Sequence, residues 1–84
     1  MSFHNFQLGK IYKVKGKNEQ AVKHFNMAHD QAKLWISPLI EMASLAMLES
    51  NFDYANILLE KAKKLPNKTL EYKSIAMQFF TLRN

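Results

Sequence analysis

Residues 8–28 of the 84-residue chain read LGKIYKVKGKNEQAVKHFNMA, two amphipathic segments around one glycine. Leu8, Ile11 and Tyr12, extended by Phe6 before them and Val14 after, recur at the three- and four-residue steps of a helix face. Gly16 follows as a stop, because glycine enters the left-handed conformation that ends helices without a steric penalty. Ala21, Val22, Phe25, Ala28 and Ala32 then resume the helical spacing. Two helices joined by so short a link run antiparallel, so the stretch predicts a helical hairpin.

Sliding the sequence against itself by 34 positions finds the pattern again. Leu8, Gly9, Tyr12, Gly16, Ala21, Phe25 and Ala28 fall opposite Met42, Ala43, Ala46, Ser50, Ala55, Leu59 and Ala62. Small residues meet small and apolar meet apolar, with Tyr12 against Ala46 the exception. Helices can cross closely only where one side chain is nearly absent, while large neighbours fill the flanking holes. Gly9, Ala21 and Ala28 in the first copy, and Ala43, Ala55 and Ala62 in the second, are therefore the expected crossing points.

Working outward, the pattern predicts helices over 3–15, 18–34, 38–49, 53–64 and 69–82. Ser37 followed by Pro38 reads as a cap with proline at the first helical position. Asp53 opens the fourth helix, and Pro66 ends it. Lys10, Lys13 and Lys15 gather toward the end of the first helix, where the dipole favours cations. The fifth helix carries Leu70, Tyr72, Ile75, Ala76, Phe79 and Phe80, a wider apolar surface than a one-sided cap needs. The expected fold is all-α in one domain over 1–84: repeat one at about 2–35, repeat two at about 36–69, and a capping or half-repeat helix at about 69–82.

Composition excludes several classes. Hydrophobic residues make up 48% and charged residues 23% of the chain, which is globular rather than disordered usage. Cysteine is absent, removing disulfides, thiolate metal sites and cysteine nucleophiles. No apolar run is long enough to span a bilayer and no leader-like start is present, so an intracellular, soluble, cytoplasmic protein is expected, without membrane contact. The net charge of +5 raises nucleic acid as an alternative partner, yet only Arg83 among the twelve cations is an arginine. Scattered lysines read more simply as a solvated face.

Chemistry is sparse. His24 and His29 are five apart on one helix, about 140° round its axis, which is the wrong geometry for a metal pair. His4 stands alone, and neither Glu41 with Glu49 nor Glu19 with Asp30 falls at helix-neighbour spacing. Gly9 and Gly16 make no phosphate loop. Neither catalysis, a cofactor nor a metal is expected. Tyr12, Phe25, Met42 and Phe52 read as core, and Trp35 in the connection reads as packing between repeats, with an exposed anchor as the alternative.

The stretch 8–28 resembles the tetratricopeptide repeat: Leu8, Gly9, Tyr12, Ala21, Phe25 and Ala28 supply its Leu-Gly, Tyr, Ala, aromatic and Ala positions. The second copy keeps Ala43, Ala55 and Ala62 but has Ala46 and Leu59 at the Tyr and aromatic positions. The family's tryptophan position holds Asn5 and Leu39, and its closing proline position holds Lys33 and Asn67. A weaker similarity, over 8–30 and 38–55 with Lys10, Lys13 and Pro38, is to the repeat scaffold subunits of the anaphase-promoting complex.

The resemblance implies a right-handed solenoid whose first helices line a concave groove for a peptide or helix of a partner protein. Its groove positions fall on Phe3, Phe6, Lys10 and Lys13, on Ser37, Ile40, Ser44 and Met47, and on Glu71, Ser74, Gln78 and Thr81. The subgroup that clamps acidic chaperone tails has donors where this chain has Phe6, Lys10, Glu41, Glu71 and Ile75, so no such clamp is expected. Two repeats are few for an independent stack. Self-association through Ile75, Phe79 and Phe80, or membership of a larger assembly, is therefore expected of this interaction scaffold.

Overall fold

A computed structural model describes residues 2–66 and 68–83; Asn67, at the second copy's closing position, lies outside them. Five helices follow one another: α1 Ser2–Val14, α2 Asn18–Gln31, α3 Ser37–Leu48, α4 Phe52–Lys63 and α5 Leu70–Arg83. Among the described residues there is no strand. None of these helices is long and apolar enough to cross a membrane.

The two helical hairpins end their first helices in the same way, 34 residues apart. Lys17 N–H donates to the Tyr12 carbonyl at 2.9 Å and Gly16 N–H to that of Lys13 at 3.0 Å. In the second hairpin Asn51 N–H donates to Ala46 at 2.8 Å and Ser50 N–H to Met47 at 3.0 Å. Each pair is the crossed bonding of a left-handed helix stop, which satisfies carbonyls the helix leaves open. Gly16 has φ 76° and Ser50 φ 58°, so the serine adopts by constraint what the glycine adopts freely.

Only the start of α2 falls where expected; the end of α2 differs by three residues and the other helix ends by one, several with a visible cause. α2 stops at Gln31 rather than residue 34, because Ala32 turns to φ −144° while its N–H still reaches the Ala28 and His29 carbonyls. Leu34 is left in the exposed link. Ser37 is already helical and makes no cap; Ile36 holds that place, its carbonyl accepting from Leu39 and Ile40 at 3.0 and 3.2 Å. α4 starts at Phe52, capped by Asn51, whose Oδ1 accepts the Tyr54 N–H at 3.4 Å. Asp53 sits in that first turn, where its charge suits the dipole. Thr69 Oγ1 accepts the Tyr72 N–H at 3.2 Å and starts α5.

Helices adjacent in sequence pack together, and α3 also touches α5. α3 buries eight of its twelve residues, the all-round burial of a central helix. Gly9 is buried, and Ala21, Ala28, Ala43, Ala55 and Ala62 are wholly so. The tightest crossing lies in the first hairpin, where a Cβ on Gly9 would stand 2.6 Å from Cε1 of Phe25. Phe25 has no exposed surface, so its ring occupies the volume that the glycine vacates. The chain measures 36 × 30 × 19 Å, its thinnest dimension being about two helix diameters.

Candidate functional site

The polar groups that could do chemistry are mostly engaged in holding helices together. Asn5, where a tryptophan was expected from the resemblance, is only 6% exposed in the α1–α2 packing. Its Nδ2 donates to Gln31 Oε1 at 3.2 Å, and its Oδ1 lies 3.1 Å from His24 Nδ1. The His24 ring stacks on Tyr12, with centroids 5.4 Å apart and planes 9° from parallel. His29 has a buried Nδ1 with no hydrogen-bond partner. Burial holds this imidazole below its ordinary pKa; Lys61 and Lys33 add to the effect, and Asp30 opposes it. Among the described residues, no group of three or more His, Asp or Glu could hold a metal.

A cleft of about 220 Å³ opens where α1, α3 and α5 meet. Lys13 of α1 closes one side, its Nζ donating to Glu41 Oε1 of α3 at 2.7 Å. The pair is partly sheltered, with side-chain exposures of 31% and 16%, so it ties α1 to α3 more firmly than an open surface pair. Ile40 and Ser44 form the floor on α3, and Glu71, Ser74 and Ile75 the opposite wall on α5. A second, smaller cleft of about 90 Å³ continues past Ser44 between Met47 and Leu48 of α3 and Gln78 and Leu82 of α5. Together they make a shallow groove, apolar at its base, with serines and a glutamine on the walls and two carboxylates at one end. One of those carboxylates, Glu41, is already neutralised by Lys13.

Of the groove residues expected from sequence, Lys13, Ile40, Ser44, Ser74 and Glu71 meet in the first cleft, and Met47 and Gln78 in the second. Thr81 and Ser37 line neither. Phe6 belongs to the hydrophobic packing instead: its ring lies 5.6 Å from that of Phe25 and 4.7 Å from that of Trp35. Trp35 thus fills the space beside α1, and Lys10 lies over the Phe6 ring with Nζ 5.6 Å from its centroid. Phe3 is exposed at the start of α1, away from both clefts.

The three residues named for self-association divide. Phe79 is 1% exposed with its ring tilted against that of Phe52, Ile75 packs on the core, and Phe80 is 61% exposed. Leu48 and Leu82 were not singled out from sequence, though the 34-residue ruler finds them. It pairs Ile40 with Ser74, Glu41 with Ile75, Ser44 with Gln78 and Leu48 with Leu82. Every one of those eight lines the groove.

No family model, curated protein or solved structure matches this chain.

Proposed function

We propose that the chain is a helical-repeat scaffold of the tetratricopeptide type, two hairpins closed by α5, which holds a peptide or helix of another protein in the groove between α3 and α5. The observation that carries this reading is the pairing of groove residues. Four pairs of positions 34 apart on α3 and α5 line two clefts that adjoin at Ser44, as expected when equivalent helices stand side by side. The recurrence of the helix stop at Gly16 and Ser50 supports the same stacking.

The groove's chemistry narrows the partner. Among the described residues Lys13 pairs with Glu41 in the first cleft and no cation pairs with Glu71. A segment with an apolar side chain toward Ile40 and Ile75 and a cation toward Glu71 is complementary, and an acidic tail is repelled. On this reading the protein is an adaptor whose specificity comes from its partner's sequence rather than from any reaction.

Selection of peptides from a random display library against the 84-residue chain, followed by calorimetry, tests it. Selected peptides are expected to be rich in Lys or Arg beside an apolar residue. Ser44→Arg and Ser74→Arg should each weaken them about tenfold or more by filling the groove, and Lys23→Glu, at an exposed position of α2, should not. Selected peptides whose affinity ignores both arginine substitutions overturn the reading.

A further inference from the structure

Among the described residues of α1, Lys13 alone lines the two clefts, and it brings a positive charge to a groove that, on the reading above, takes one from its partner. The 34-residue ruler places Met47 at the equivalent position of α3, where an uncharged stem lines the second cleft. An uncharged stem is thus compatible with the packing at this point of a hairpin, and the ammonium calls for a separate explanation. Its Nζ donates to Glu41 Oε1 at 2.7 Å, in the same cleft that Glu71 lines from α5. Two carboxylates and one ammonium therefore share about 220 Å³, which leaves a single negative charge open to a partner.

We propose that Lys13 sets the charge specificity of the groove: it is a tethered cation that occupies Glu41, so that a partner is recognised at Glu71 through one cation and is denied the second carboxylate. This rests on the groove's binding a basic and apolar segment, and adds the residue that fixes how many cations are recognised. Three features keep the pair closed against a partner. Lys13 is held in the last turn of α1, just before the helix stop at Gly16. Its ammonium therefore competes from within the same molecule, at an effective concentration of about millimolar or more, while a partner's arrives from dilute solution. The pair is also sheltered, with the Glu41 side chain only 16% exposed, so a cation that replaced Lys13 would have to shed water to do so. A second cation that approached without displacing Lys13 would meet its positive charge. Glu71 is different: it is exposed, and among the described residues no cation pairs with it.

The probes are the tightest peptide selected against the 84-residue chain and the same peptide with one further lysine placed at each position in turn, with affinities read by calorimetry. On the parent chain no added lysine should tighten binding by more than about threefold, because Glu41 is already taken. On Lys13→Met, which puts here the residue found at position 47, at least one added lysine should tighten it by about tenfold or more. Adding Glu41→Gln to Lys13→Met should remove that gain. Tighter binding cannot come from a loosened fold, so the gain separates this role from a merely structural one. Glu41→Gln alone releases the Lys13 ammonium into the cleft, and should weaken the original peptide by about tenfold. Added lysines that act alike on the parent and on Lys13→Met, or a gain that survives Glu41→Gln, would overturn this proposal while leaving the groove in place. A chain against which no basic peptide can be selected would overturn it together with the groove.

Discussion

Replacing Gly9 by alanine sets two effects of similar size against each other, and the crossing geometry decides which wins. In an exposed helix the change is favourable by about 1 kcal/mol, because alanine loses less backbone freedom. At this site the added methyl would lie 2.6, 2.7 and 3.0 Å from Cε1, Cδ1 and Cζ of Phe25. Contacts that short force the helices apart or the ring off its rotamer, and Phe25, with no exposed surface, has nowhere to move. Overpacking of this kind costs about 1–3 kcal/mol, so the net expectation is a loss of about 1 kcal/mol. For a domain of this size that lowers Tm by about 4–8 °C. Urea unfolding, followed by far-UV circular dichroism and by the fluorescence of Trp35, the single tryptophan, measures it. Phe25→Leu supplies the second arm of a double-mutant cycle: in that background Gly9→Ala should become neutral or stabilising, with a coupling of about 1 kcal/mol or more. A single mutant more stable than the parent by about 1 kcal/mol, as propensity alone dictates, would refute the close crossing.

The two helix stops predict opposite responses to exchange. Ser50→Gly should stabilise by about 0.5–1 kcal/mol in thermal melts by removing a side chain from a left-handed residue. Gly16→Ala should destabilise by about 1 kcal/mol, although nothing lies within 4 Å of the added carbon. Ala55→Arg drives a charge into a crossing with no exposed surface, and should abolish the cooperative melt. His29 prefers its neutral form in the folded chain, so its contribution is fully present above the unfolded pKa of about 6.5 and is lost as pH falls below that value toward the lower folded pKa. Urea midpoints at pH 7.5 and 5.5 should therefore fall further for the parent chain than for His29→Gln.

Much of the helical layout could be read from residue type because it depends on local chemistry. Gly16 and Ser50 stand 34 apart and end their helices by the same bonds, and the alanines of both copies are buried wherever two helices cross. What could not be read depends on distant partners. Asn5 looks like a surface residue until Gln31 and His24 come round to satisfy it, and nothing within its own helix foretells either bond. Phe6 looks like a groove anchor from its register, but Trp35, in a link whose path the pattern does not specify, draws it into the packing. Ser37 has the residue type of a cap and lies one place too far in, since Ile36 begins the turn with its own carbonyl. Of the positions that the resemblance assigned to a groove, those on α3 and α5 that line the two clefts are Ile40, Ser44, Met47, Glu71, Ser74 and Gln78, whereas on α1 only Lys13 does, because Phe6 is drawn toward Phe25 and Trp35.

The proposed repeat fold and its groove rest on the equivalence of the two hairpins and of α3 with α5. An experimental structure of the chain in solution, from nuclear magnetic resonance with residual dipolar couplings, measures it directly. The backbone of residues 2–31 should superpose on that of residues 36–65 only at a shift of 34, with φ positive at both Gly16 and Ser50 and with Ser44 and Gln78 facing one groove. A best superposition at another shift, or a Ser50 with negative φ and Ala43 and Ala55 turned to water, would contradict the account.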